Sequence, residues 1–275
     1  MGPAISESSC LLGLKRLGVF AITITLLSGL ISGAVFLLQL WPEFSWWKIF
    51  RRCVSLAAAC ALIVIARRDP QSSSFRALGL GDFRKGRGQV GVGVAIAFGM
   101  VAAILIGYSI VGVSRIKIDP DTSRMTQILI TFLPLAGLIS VLEELVFRGF
   151  ILQQLMRCSR LAAALLSSLA YALVHLRERV AWPGTVLELG GLFLFGIVLT
   201  LSYFRTKQLY LSIGLHTGLA YYARVSKLFV EMTVPSLQWL VGTSRLVNGL
   251  VAWLAFIVLG IGLAWWPPRI GTKDM

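Results

Sequence analysis

The amino-acid sequence predicts an all-α, polytopic membrane protein of about eight transmembrane helices. Of its 275 residues 57% are hydrophobic and only 14% are charged, with a mean hydropathy of +0.81. A soluble domain holds about a quarter charged residues and just under half apolar ones. Patterning points the same way. Apolar runs long enough to cross a hydrocarbon core of ~30 Å follow one another almost from end to end, separated by short polar links. In lipid only helices and closed barrels satisfy their own backbone groups, and these runs are too long and too continuously apolar for barrel strands.

The first span is expected over residues 17–40. It exceeds the apolar core of a signal peptide and no small-residue cleavage site stands out after it, so it reads as retained. A short second span, 50–66, is preceded by Arg51 and Arg52. A basic segment, 67–89, then carries Arg67, Arg68, Arg76, Arg84, Lys85 and Arg87. The third span covers 88–113, and a polar link holds Arg115, Lys117, Asp119 and Asp121. The fourth, 125–156, is longer than a bilayer requires and is where charge enters the apolar region. A fifth, sixth and seventh follow over 159–176, 182–203 and 209–225. The stretch 227–245 is amphipathic, holds Pro235 and Trp239, and reads as interfacial. The last span, 246–266, ends in Trp265, Trp266, Pro267 and Pro268, an aromatic anchor followed by a helix stop. The chain thus divides into an N-terminal membrane region (1–124, three helices and a basic loop), a core (125–226), and an interfacial segment with the final helix (227–275), all one continuous membrane domain.

The formal net charge of +14 would suit nucleic acid or acidic lipid. Lys and Arg sit between the spans, however, where orientation and headgroup contact require them, so the bilayer is the expected partner and nucleic acid is not. With the N-terminus inside, 14 basic residues fall on that face and 11 on the other, which leans weakly to cytoplasmic termini in a bacterial-type plasma membrane. Cys10, Cys53, Cys60 and Cys158 form no CxxC pair and no zinc spacing, so neither a disulfide framework nor a redox site is expected.

An ionisable residue at membrane depth is costly, roughly 2.5–3.5 kcal/mol on insertion scales, so each one demands a reason. Glu143, Glu144 and Arg148 stand together in Val-Leu-Glu-Glu-Leu-Val-Phe-Arg-Gly. On an α-helix Glu144 and Arg148 are i,i+4 neighbours about 40° apart, whereas Glu143 points about 140° from Arg148. Arg148 is therefore the expected partner of Glu144, and Glu143 is left for other work. A charge cluster that merely locks helices together would account for one acid and the base, and poorly for the second acid. Both histidines of the chain, His175 and His216, also lie in apolar spans. A lone buried histidine is usually a hydrogen-bonded core residue, but two of two beside an acidic pair point to function. At 1.5 Å per residue, Glu143 and His175 lie about 20 and 27 Å from the turn near Arg157, and His216 about 13 Å from the turn near Lys207. All are measured from the same side, so helix tilt allows them one polar cavity. Glu188, in the sixth span, is a second functional acid or a residue that snorkels to the interface.

Glu143-Glu144-xxx-Arg148 resembles the EExxxR motif of the CPBP (Abi) family of CAAX protease and bacteriocin-processing membrane proteins. Tyr171-xxx-His175 is similar to its second motif, usually FxxxH, and His216-xxx-Ala220 to its third, usually HxxxN. The stretch from Phe195-Gly196-Ile197 to Gly214-Leu215-His216 has the family's texture as well. The resemblance covers about 126–225 and implies an eight-helix intramembrane endopeptidase. On that reading Glu143 is the general base that activates water, His175 and His216 assist, and Glu144 with Arg148 supports it. A divalent metal such as zinc held by Glu143, Glu144, His175 and His216 would be the metalloprotease alternative; the chain has no HExxH, and both mechanisms stay open. Tyr171 stands where the family has Phe, and Ala220 where it has the Asn thought to hold the oxyanion. Asn248, the only asparagine in the chain, and the Tyr171 hydroxyl are the candidate substitutes.

The expected function is hydrolysis of a peptide bond in a membrane-associated protein or peptide by water activated through glutamate and histidine. The alternative is a non-catalytic membrane scaffold or bacteriocin immunity protein with a degenerate site, favoured by Ala220. A proton-coupled transporter is weaker still, because broken, inverted-repeat helices are missing.

Overall fold

A computed structural model of the chain describes residues 7–68, 74–118, 120–176, 184–243 and 247–266. In chain order the elements are α1 (Glu7–Leu37), α2 (Trp46–Arg68), α3 (Phe83–Ile110), β1 (Ser114–Ile116), α4 (Thr122–Glu144), a π-helical segment (Leu145–Ile151), α5 (Leu152–Leu155), α6 (Arg160–Val174), α7 (Gly184–Thr206), α8 (Tyr210–Phe229), β2 (Val230–Met232), a 3-10 turn (Pro235–Leu237), α9 (Gln238–Val241) and α10 (Leu250–Trp265). Among the described residues, eight helices of 15 residues or more fall on the eight expected spans. Four are long and apolar enough to cross a membrane: Glu7–Leu37, Phe83–Ile110, Thr122–Leu155 taken through the π segment, and Gly184–Thr206. Arg160–Val174 and Leu250–Trp265 are shorter apolar helices. The first helix begins ten residues before the expected span, and the starts of the expected sixth and last spans, with Pro267 and Pro268, lie outside the described residues. Two helix starts follow from local chemistry. Asp82 caps α3 by accepting from the Arg84 N–H at 2.9 Å, and Asp121 accepts from the Arg124 N–H at 2.9 Å at the head of α4.

The chain forms two compact units, Met1–Leu80 with Leu142–Ala170, and Gly81–Val141 with Tyr171–Met275. In the first, α1 packs along α2 with Ser28 and Ser32 buried on one helix and Ala57 and Ala58 on the other. Val19, Ile22, Leu26, Leu30 and Leu37 of α1 are exposed, the outward apolar stripe that a lipid-facing helix requires. Phe20 of α1 lies against Phe150 with ring centroids 4.7 Å apart. Gly13 has no space for a Cβ, which would run into the Gln154 carbonyl and the Arg157 side chain. One turn earlier Cys10 is joined to Cys158 by a disulfide across 148 residues. This corrects the expectation that the cysteines form no disulfide. The bond is long-range, and no local spacing could announce it. Cys53 is buried and Cys60 exposed, both as free thiols.

In the second unit the tightest approach is between α3 and α8. A Cβ on Gly93 would strike the backbone of Leu211 and Leu215, one on Gly214 the carbonyl of Val90, and one on Gly218 the Ala97 side chain. Gly93-xxx-Ala97 and Gly214-xxx-Gly218 are thus a pair of small-xxx-small faces in direct contact, the usual means of holding helices together where lipid removes the hydrophobic drive. Pro134 interrupts the hydrogen-bond ladder of α4, and Tyr221 of α8 donates to the neighbouring Leu129 carbonyl at 3.1 Å. On the other side α7 meets α10, where Gly190 and Gly191 make room for Trp253, whose indole N–H donates to the Leu187 carbonyl at 3.1 Å. The antiparallel pairing of β1 with β2 was not expected. It sets Arg115 opposite Glu231, and their side chains pair at 2.9 Å. Three-residue strands are too short to show a period of two in the sequence.

The α3–α8 seam makes a paired prediction. Gly214→Ala should lower stability by about 1–3 kcal/mol, because the methyl group has only backbone to displace. Gly99→Ala on α3, where a Cβ meets nothing within 4 Å, should be neutral or stabilising. Thermal unfolding of the two variants in detergent checks the contrast.

Candidate active site

The acidic segment closes α4. Glu144 is its last residue, and the backbone then changes to seven π-helical residues, Leu145–Ile151, before resuming as α5. Such segments are rare and concentrate at functional sites. Arg148 lies inside the segment and places Nη1 2.9 Å from Glu144 Oε1. Both side chains have no exposed surface, so this is the buried ion pair that the spacing of the two residues called for. Glu143, one residue earlier, is half-buried. The sequence assigned Glu144 to Arg148 correctly, but on an α-helical wheel; the π geometry beyond Glu144 has no local signature.

The histidines belong to the second unit. His175 directly follows the last residue of α6, and its ring Nδ1 lies 2.8 Å from the Tyr171 carbonyl oxygen. A carbonyl only accepts, so Nδ1 carries the proton and neutral His175 presents Nε2 as a lone pair. The bond also satisfies one of the last carbonyls of α6, which lack partners within the helix. His216 is buried in the middle of α8, 4% exposed. It is two residues from both Gly214 and Gly218, about 200° round the helix from each, so the glycine face that clamps α8 to α3 turns His216 the other way. There Tyr171 stands between the histidines. Its ring centroid is 4.7 Å from that of His175 and 5.8 Å from that of His216, edge-on, and its hydroxyl is 3.5 Å from His216 Nε2. The hydroxyl that distinguishes Tyr171 from a phenylalanine is therefore aimed at a histidine.

Phe195 completes the surroundings, with its centroid 6.0 Å from His216 and 6.4 Å from Tyr171. Phe256 of α10 backs it at 5.3 Å. Neither was singled out from the sequence, since an apolar aromatic in an apolar helix carries no distinguishing mark. Ala220 lies one turn beyond His216 on the same face of α8. Asn248 has a local task, its Oδ1 accepting from the Thr243 backbone N–H at 2.9 Å and from the Thr243 hydroxyl at 3.1 Å in the turn before α10. Glu188 is buried, 8% exposed, near the start of α7. Among the described residues no group of three or more His, Cys, Asp or Glu side chains is arranged to hold a metal ion. Glu144, one of the four residues that a metal would use, already gives its carboxylate to Arg148.

A helical membrane protein with a buried Glu–Arg pair after an adjacent glutamate, and with two histidines around a tyrosine, is the class these features define. In agreement with it, residues 125–222 match the model of the family described as type II CAAX prenyl endopeptidase Rce1-like. The matched segment contains Glu143, Glu144, Arg148, Tyr171, His175 and His216, and the match bears out the resemblance drawn from the three motifs. No curated protein and no solved structure matches the chain.

The buried pair can be tested by removing one partner and then both. Arg148→Met leaves Glu144 buried without its guanidinium and should lower stability by about 3–5 kcal/mol. Adding Glu144→Gln should recover part of the loss, since a buried amide beside an apolar chain is less unfavourable than a lone carboxylate. Unfolding midpoints of the two variants in detergent give the comparison, and a double variant less stable than Arg148→Met would refute the pairing.

Proposed function

We propose that this chain is an intramembrane endopeptidase that hydrolyses a peptide bond in a membrane-associated protein or peptide. The single observation that carries the reading is the order Glu-Glu-xxx-Arg, Tyr-xxx-His, His within the one segment matched by a CAAX prenyl endopeptidase family. Glu143 acts as the general base: it takes a proton from water, whose oxygen attacks the carbonyl carbon of the scissile bond. The proton then passes to the amide nitrogen as the carbon–nitrogen bond breaks, leaving a carboxylate and a free amine. A dry site favours this chemistry, because a carboxylate out of water is a stronger base. The Glu144–Arg148 pair fixes the backbone that carries Glu143. His216 and His175 assist at the reacting carbonyl, with Tyr171 orienting His216 through its hydroxyl.

The protonation of His175 limits its part. Its Nδ1–H is given to the Tyr171 carbonyl, so in the neutral ring Nε2 accepts and does not donate to an oxyanion. With Ala220 lacking a side-chain donor, the Tyr171 hydroxyl is the best-placed substitute, and Asn248 is second because its oxygen already serves the turn before α10. The substrate class is a protein or peptide already held at the bilayer, and a prenyl-anchored tail is the example that the matched family's description suggests. Peptide maturation or self-immunity to a membrane-active peptide is the wider setting.

The decisive experiment compares the termini of membrane peptides from cells carrying the wild-type chain and cells carrying Glu143→Ala. A terminus present only with Glu143 establishes activity and substrate together; identical sets would return the chain to the scaffold class. On that substrate Glu143→Gln should lower kcat by about 10²–10⁴ with the unfolding midpoint unchanged. Tyr171→Phe should slow cleavage, and Ala220→Asn should raise kcat at constant KM if an oxyanion donor is what the site lacks, since such a donor acts on charge present only in the transition state.

A further inference from the structure

Three contacts gather at one end of the first unit. Cys10 in the first turn of α1 is bonded to Cys158, Gly13 is closed against Gln154 and Arg157, and the Gln153 side-chain amide donates to the Ala77 carbonyl at 3.2 Å. The start of α1, the loop after α2 and the turn after α5 therefore share one face of the membrane. Chain alternation demands the same. Between Cys10 and Cys158 lie α1, α2, α3 and α4, and an even number of crossings returns the chain to its starting side. Were α2 lying on the surface, the two cysteines would be separated by the bilayer. The disulfide thus counts α2 among the crossing helices, although α2 falls outside the four that length and composition select.

Which face this is follows from thiol chemistry. Cytosolic thiol pools keep cysteine pairs reduced, whereas extracytoplasmic compartments keep them oxidised. From the Cys10–Cys158 bond we propose that the face bearing the start of α1, the loop after α2 and the 156–159 turn lies in an oxidising, extracytoplasmic compartment, where the bond staples α1 beside the segment that carries Arg148. Closure is a dithiol–disulfide exchange. The two thiols lose two protons and two electrons to the disulfide of an extracytoplasmic thiol oxidase, which leaves as a dithiol, through a mixed disulfide with one cysteine that the other resolves. The weak charge bias, 14 basic residues against 11, favours the opposite orientation. A margin of three dispersed charges gives way to a covalent bond that one compartment sustains and the other removes.

The test needs no substrate and is independent of the hydrolase reading. The full chain carrying Cys53→Ser and Cys60→Ser, which leaves only Cys10 and Cys158, is expressed in cells converted to sealed right-side-out spheroplasts. A membrane-impermeant maleimide should add no label before treatment with an impermeant phosphine reductant and two labels after it. A second reporter, Arg76→Cys in a chain lacking all four native cysteines, should label in intact spheroplasts without reductant. Two labels without reductant in freshly lysed cells would show free thiols and overturn the staple. Labelling of either reporter only after permeabilisation would place this face in the cytoplasm and overturn the orientation.

Discussion

The helix carrying His216 is fixed by the backbone contact of α3 with α8. Gly93 and Gly214 allow the two chains to approach until a single methyl group would collide with main-chain atoms. Between lipid-immersed helices there is no gain from burying apolar surface, so such approach, with its dispersion contacts, is what fixes one helix against another. The direction in which His216 points is a by-product of that seam. Residues two places from a glycine face the far side of the helix, and there Tyr171 and Phe195 receive the imidazole edge-on. An immobile imidazole comes from a feature with no chemistry of its own.

The ionisable residues follow a different logic. A buried carboxylate and guanidinium are each unfavourable in an apolar medium, and together they remain only where geometry is good. Glu144 and Arg148 meet that condition at 2.9 Å, across the point where α-helix becomes π-helix. The pair and the altered backbone support each other: the ion pair holds the widened turn, and the widened turn presents the guanidinium. The His175 ring contributes on the same scale, satisfying a terminal carbonyl of α6 and fixing its own tautomer in one hydrogen bond.

Much of this was legible in the sequence. Hydropathy gave the helices, and the i,i+4 relation gave Glu144 to Arg148, because both depend on spacings that a single helix enforces. The three motifs that suggested the family are local as well. What escaped was non-local or below the length at which pattern exists. The Cys10–Cys158 bond joins residues that only the folded chain brings together. The β1–β2 pair has three residues a side, and the roles of Phe195 and Phe256 arise from packing. Gly93 and Gly214 were visible as glycines, but nothing local distinguished them from Gly99, which meets nothing. The hydroxyl of Tyr171 entered the sequence reading as a departure from a phenylalanine motif, and in the folded chain it faces His216.

The π segment gives the stretch from Leu145 to Ile151 an unusual sensitivity to length. Each hydrogen-bonded loop there encloses one residue more than in an α-helix. Dropping a single residue would let the backbone relax to ordinary α geometry with little change in rise, but with everything after it turned by about 100°. Loops at the surface absorb insertions and deletions readily, whereas here a gain or loss of one residue acts as a rotation. The spacing between Glu144 and α5 is therefore under as strict a constraint as the identity of the charged residues, and chains sharing this architecture should keep the number of residues here even where they change the residues themselves.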